Sequence, residues 1–389
     1  MKKLFFVFGC LFPLFTCAQT LKTDVLVIGS NDAAFSAAYQ SFKSGVVTTI
    51  LTQTAQFDLE QIKKSKSSEI QNLYSKFLIK EPQKIQAPKK DKKSKGTVKI
   101  DSADFLKVIN DSPALEIKRS GSGWEVKLSK DKSVKAKVLL MADQPEKLLA
   151  ALKIQSLKAA EPASLNYNDD NYRTSIAGIK ATSNFLSLYN LLIPNQENLI
   201  YVNTAKPEIG QAAGATAAFA AFYETKTSLS NLKSIQGELL KYKLSLISYE
   251  DVKLTDSNWL ALQKIGVTGI VKGEIKDDKL FFNPEKEVTY AEIKQPVKDY
   301  FYKAQIWFDD HQNSPMTLET TISMVCYVGN KAVDATKSEL EKKWNKSYKF
   351  SSKYDLKKTL TRREFSVIIN EYLKPFDLVN VDRTGRVIR

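Results

Sequence analysis

The residues with the clearest chemical potential stand at the end of an apolar run near the N-terminus. Thr23-Asp24-Val25-Leu26-Val27-Ile28 runs into Gly29, and Ser30-Asn31-Asp32-Ala33-Ala34 follows. Backbone N–H groups in such a turn, backed by the positive end of a helix, hold an anion. The spacing that does this for a dinucleotide is G-x-G-x-x-G. Here Gly29 is the first glycine, Asn31 stands at the second and Ala34 at the third. Gly29 keeps the tight turn, and Ala34 still lets helix and strand pack closely. Asn31 puts a side chain where the backbone must approach a pyrophosphate. Asp32 adds a negative charge that suits the helix dipole but repels a bound phosphate. The stretch expected to carry a carboxylate for ribose hydroxyls reads Leu51-Thr52-Gln53-Thr54, and has none.

These residues need a scaffold, and the surrounding pattern supplies one. An Ala-rich helix over Phe35–Phe42 ends at Gly45, and Val46–Leu51 reads as a second strand. This β-turn-α-β unit has the length of a Rossmann fold. Phe105–Ile109 reads as helical, ending near Pro113. Ala114–Arg119 and Gly123–Leu128 alternate apolar with polar around Ser120-Gly121-Ser122, which predicts a hairpin. Val134–Met141 and Asn198–Val202 read as further strands. After Pro207, the run Gly210–Phe222 is a helix of very small residues, able to approach a neighbouring backbone or a ligand closely.

Composition excludes several chemistries. Met1-Lys2-Lys3, an apolar run from Leu4 to Phe15, and Thr16-Cys17-Ala18-Gln19 read as a secretory signal over residues 1–18, cleaved after Ala18. The expected location is therefore exported, periplasmic or secreted, with a lipoprotein through Cys17 the weaker reading. The apolar run is too short to span a bilayer, and nothing else looks transmembrane. Cys326 is the one cysteine beyond the signal and His311 the single histidine, so no disulfide, no metal site and no Cys-His or Ser-His-Asp site is expected. His311 lies in a polar turn and reads as a surface residue. The formal charge is +15, mostly from scattered lysines. The run Lys89-Lys90-Asp91-Lys92-Lys93-Ser94-Lys95 could meet an anionic cell-envelope polymer, but it has no interleaved aromatics and does not argue for nucleic acid.

The order of these pieces resembles the FAD-dependent oxidoreductases found among secreted bacterial proteins. Gly210-Gln211-Ala212-Ala213-Gly214 is similar to a late motif of that family, and Ser187–Pro194 with Asn198–Val202 is similar to its lead-in. The resemblance implies an α/β fold: a Rossmann-like FAD/NAD(P)-binding domain over residues 19–247, followed by a small, mostly α-helical C-terminal domain over 248–389. It implies FAD contacts from Gly29, Ser30, Asn31, Ala33 and Ala34, and from Gly210, Gln211, Ala213 and Gly214. It names no catalytic residue and no substrate. The departures agree with one another. Met141-Ala142-Asp143-Gln144 stands where the family has Ala-Thr-Gly, and Asn31, Thr52 and Gln144 fall at positions that would face the cofactor. Two functions stay open: an FAD-dependent oxidoreductase with weakened cofactor binding, or a cofactor-free descendant serving as a cell-envelope binding or scaffolding protein.

The C-terminal region carries a second resemblance, to S-layer homology repeats. Trp259 begins a helix that Gly269 and Gly273 end, and Thr289 with Glu292 forms a capping box. Thr361 and Glu364 repeat that spacing, and Thr317 starts a middle copy in which Thr320 holds the fourth place. Arg362 is the basic residue through which such a repeat would reach a polysaccharide. The alternative is a helical appendage packed on the Rossmann-like domain.

Overall fold

The computed structural model describes residues 20–54, 57–60, 106–129, 132–143, 145–153, 157–166 and 172–388. The signal, Gln144 and the basic run lie outside these residues.

Apolar residues at Thr20–Ile28 (β1), Thr48–Leu51 (β2) and Ser133–Met141 (β6) build the centre of the main sheet. Leu106–Ile109 (β3), Glu116–Ser120 (β4), Gly123–Lys127 (β5) and Leu199–Tyr201 (β10) complete it. Its order is β3-β2-β1-β6-β5-β4, with β10 also paired to β6. The pairs β3–β2, β2–β1, β1–β6 and β6–β10 are all parallel. β6 is long enough to serve two neighbours. Its first half, Ser133–Ala136, pairs antiparallel with β5, and its last three residues, Leu139–Met141, pair with β10. The chain thus runs outward through β1, β2 and β3, then returns to the other side of β1. That reversal is a topological switch point, where α/β sheets bind ligands beyond the strand C-termini. The fold is α/β and Rossmann-like.

The segment at 105–109 is a correction. Leu106–Ile109 forms β3, not a helix, and Phe105 lies outside the described residues; four apolar-rich residues find a parallel edge on β2, and periodicity cannot separate strand from helix over so short a run.

Both sheet faces are buried, as parallel sheets require. Val25 and Val27 face Asp32–Lys43 (α1) and Pro207–Phe222 (α4), while Leu26 and Ile28 face Pro145–Leu152 (α2). α4 is apolar all round and buried over most of its length. Gly210 and Gly214 explain its closeness to α1. A Cβ on Gly210 would stand 2.2 Å from the Ala33 carbonyl oxygen, and one on Gly214 2.2 Å from that of Ala37. The two helices therefore meet backbone to backbone, and Ser41 Oγ donates to the Gly214 carbonyl at 3.0 Å.

Behind α4 lies a small sheet, Ala163–Ser164 (β7), Asn184–Ser187 (β9) and Ser175–Gly178 (β8), with the short helix Leu188–Leu191 (α3) after it. Leu232–Lys241 (α5) covers β8 through Gln236, whose amide donates to the carbonyls of Arg173 and Ser175. The hydrophobic core continues without a break past residue 247 into the helical region. Gln263 Oε1 accepts from the N–H groups of Leu246 and Ile247, which ties Trp259–Thr268 (α6) to this junction.

The helical region alternates two kinds of helix. α6, Tyr302–Asp310 (α8) and Val333–Lys343 (α10) bring in Trp259, Trp307 and Trp344, each fully buried. Tyr290–Tyr300 (α7), Leu318–Gly329 (α9) and Arg362–Tyr372 (α11) start at Thr289, Thr317 and Thr361, each capping through its hydroxyl. The segments entering these three helices bond to one another: Val288 N–H to Leu360 O at 2.9 Å and Leu360 N–H to Met316 O at 3.0 Å. Thr361 with Glu364 makes a complete capping box, and Thr320 does hold the fourth place after Thr317.

Candidate functional site at the strand switch point

Gly29 sits at the C-terminal end of β1 with φ of +152°, a backbone state that a side chain would strain. α1 starts three residues later and aims its N-terminus at the switch point. What meets it there is a carboxylate of the chain itself. Asp143, two residues beyond β6, turns its side chain over the loop. Its Oδ2 accepts from the backbone N–H of Ser30 at 2.5 Å, from the N–H of Asn31 at 3.2 Å and from the Ser30 hydroxyl at 3.2 Å. The second oxygen, Oδ1, is buried over Gly29 with no hydrogen-bond partner. A Cβ on Gly29 would come within 3.2 Å of both Asp143 Cγ and Oδ1.

Asn31 does more than obstruct. It is the N-cap of α1, accepting from the Ala34 N–H at 2.9 Å. Its amide nitrogen donates to the Ala142 carbonyl after β6 and to the Thr204 carbonyl after β10, both at 3.1 Å. One side chain therefore fastens the ends of three strands. On the other side, Asp58 N–H donates to Ser30 O at 2.8 Å, and Phe57 lies edge-on to Phe35 at 5.6 Å. Thr52, at the end of β2, is fully buried and donates to Thr54 O at 2.7 Å.

Of the residues expected to touch a cofactor, Gly29, Ser30 and Asn31 come together at the switch point. Ala33 and Ala34 are fully buried in the first turn of α1. Gly210 and Gly214 are taken up by the contact with α1, Ala213 is buried, and Gln211 is half-buried. Asp143 is the member that residue types alone did not single out. Its signal was position: a carboxylate just past the strand that neighbours β1.

A dinucleotide pyrophosphate does not fit these residues as they stand. It needs the N–H groups of Ser30 and Asn31, which Asp143 already holds. Two like unit charges about 4 Å apart repel by roughly 4 kcal/mol at the effective dielectric of a protein surface. Hydrogen bonds to a charged acceptor contribute about 1.5–3 kcal/mol each, so a phosphate entering beside Asp143 would lose the stabilisation and meet the repulsion.

Other candidate side chains are engaged elsewhere. Arg362 is 5 % exposed, donates to the Phe282 carbonyl at 2.9 Å and pairs with Glu292 at 3.2 Å, so it is not presented to an outside polymer. Arg363 grips both oxygens of Asp256 at 2.8 and 2.7 Å and Glu285 at 2.8 Å. His311 is half-buried rather than free at the surface, stacked on Trp307 at 4.3 Å with Nδ1 2.9 Å from the Trp307 carbonyl. Cys326 is buried and free. Among the described residues, no group of three or more His, Cys, Asp or Glu could hold a metal ion. No helix among them is long and apolar enough to cross a membrane.

Lys233 on α5 is a strongly perturbed cation. Its ammonium reaches the Phe376 carbonyl, over the rings of Tyr172 at 4.9 Å and Phe376 at 5.6 Å. Burial pushes it down to about 8; Asp377 pulls the other way and Lys264 adds to the fall. The folded protein thus binds this proton less well than the unfolded chain. Stability from this group is lost as pH falls through about 8 and is full above the ordinary lysine value of 10.5. Urea titrations across that window should show stability rising with pH. In Lys233→Met the rise should flatten; an unchanged slope would contradict the assignment.

No protein-family model and no curated protein matches the chain. Among solved structures, L-proline dehydrogenase from P. horikoshii aligns with 64% of this chain and 70% of that one at 11% identity and a TM-score of 0.30. Thioredoxin reductase from T. acidophilum aligns over 38% of each chain at 15% identity and a TM-score of 0.21. A flavin monooxygenase from Stenotrophomonas maltophilia aligns over 42% of this chain and 45% of that one at 14% identity and a TM-score of 0.21. The match thus spans less than half the length of the thioredoxin reductase and the monooxygenase. The fold assignment rests on the strand order and parallel register themselves.

Proposed function

We propose that this chain is an exported, cofactor-free protein on a Rossmann-like sheet, acting by binding in the cell envelope rather than by redox chemistry. One observation supports this above the rest: the Asp143 carboxylate accepts the two backbone N–H groups that a dinucleotide phosphate would need. The Asn31 cross-link and the backbone contact of Gly210 and Gly214 with α1 point the same way. Contact with an anionic envelope polymer belongs to this reading, although Arg362 lends it no support.

The FAD-dependent reading keeps one support, the Gly29 turn aimed at the switch point. It requires Asp143 to leave the α1 N-terminus. Protein purified from Gln19 onward should be colourless, and should stay so after incubation with excess FAD and desalting. A visible flavin band that survives desalting would overturn the cofactor-free reading and restore the oxidoreductase.

A further inference from the structure

The end of α4 remote from the switch point carries a feature that the reading above does not use. The stripe Gly210, Gly214, Ala218 lies against α1 and continues one turn later as Phe222. α1 has ended by then at Lys43, so Phe222 projects past its partner helix. Phe222 is 61 % exposed and Tyr223 is 62 % exposed, on a helix otherwise almost wholly buried. Leaving such rings in water forgoes about 1.5–3 kcal/mol each, and exposed apolar clusters mark binding sites. The two rings stand at 78° to one another with centroids 5.1 Å apart, and Phe219 lies 4.7 Å from Tyr223. They form a corner rather than a flat patch.

That corner is one wall of a cleft of about 170 Å³. Ser44, at the C-cap of α1, and Ser234 and Glu238, on α5, line it together with the rings. A Cβ on the neighbouring Gly45 would meet nothing within 4 Å, so the space beside Ser44 is open. The volume falls below the roughly 300–1,000 Å³ of drug-sized ligand sites and suits one ring. Aromatic rings together with hydroxyls and a carboxylate in one small cleft match a ring that carries both C–H faces and hydroxyls. A cationic headgroup fits less well. Lys241 stands 3.8 Å from Glu238, and the +15 chain repels cations at long range.

We propose that this cleft is a binding site for a single neutral sugar ring, stacked on Phe222 and Tyr223 and hydrogen-bonded by Ser44, Ser234 and Glu238. The proposal holds whether or not the switch point takes a dinucleotide, so the FAD experiment and this one can fail separately.

Saturation-transfer NMR on the full mature protein tests it, with glucose, galactose and N-acetylglucosamine as probes and tetramethylammonium chloride as the cationic control. At least one sugar should show transfer to its ring C–H protons. Phe222→Ala/Tyr223→Ala should weaken that binding at least tenfold while leaving the thermal midpoint near that of the parent, since both rings are exposed. Ser234→Trp, at an exposed rim position, should block the cleft and serves if the double variant does not fold. No transfer to any sugar, transfer to tetramethylammonium instead, or sugar binding unchanged in a folded variant would each overturn the proposal.

Discussion

Asp143→Ala should lower the stability of this protein by about 2–4 kcal/mol and, in the same step, create an anion site. The first effect follows from the bonds lost. Two backbone N–H groups and one hydroxyl at the α1 N-terminus lose a shared acceptor, and hydrogen bonds to a charged group contribute about 1.5–3 kcal/mol each, offset in part by entering water. The second follows from what remains: a helix N-terminus with open donors, which is an anion site. Phosphate should then raise the thermal midpoint of the variant but not of the parent. A ligand at about a hundred times its Kd adds about 2.7 kcal/mol. Thermal scans of both proteins with and without phosphate, at matched ionic strength, read both effects. Equal stability of the two proteins, or equal response to phosphate, would remove Asp143 from the role assigned to it.

Gly214→Ala should destabilise by about 3 kcal/mol or more, although alanine is the better helix former. The added methyl would sit 2.2 Å from the Ala37 carbonyl oxygen, which is backbone and cannot rotate away. α1 and α4 would have to separate, and overpacking of this kind costs about 1–3 kcal/mol, occasionally more. Gly237→Ala is the internal control. Gly237 lies within α5, and a Cβ there meets nothing within 4 Å, so only backbone entropy changes and the gain should be about 0.5–1 kcal/mol. Urea midpoints should move in opposite directions for the two substitutions. A shift of the same sign in both would mean that helix propensity, not the helix–helix contact, governs Gly214.

The same positions show how much could be read beforehand. The first strand, β2, β6 and β10 were legible as short apolar runs, the hairpin from its alternation about Ser120-Gly121-Ser122, and α1 and α4 from their runs of small residues. β3 was not, since four residues fall short of distinguishing the two periods. The three Thr caps of the helical region were legible as spacings, because a cap acts within one turn of chain. Arg362 was legible as a cation but not as a buried one, because its partners Phe282 and Glu292 lie 80 and 70 residues away.

The candidate site divides along the same line. Residue type alone determined that a glycine turn meets a helix N-terminus at Gly29, and that Asn31 departs from the phosphate-binding pattern. Local chemistry suffices for both, since turn angles and helix capping involve neighbours in sequence. Only the tertiary structure decided what fills the anion position. Asp143 reaches Ser30 across 113 residues because β6 runs parallel beside β1 and ends level with it. Gly210 and Gly214 were visible as small residues, and the crossing of α4 over α1 settled that a backbone, not a ligand, occupies the room they leave. Strand order and helix packing bring such distant groups together, and neither is a property of any local stretch of the chain.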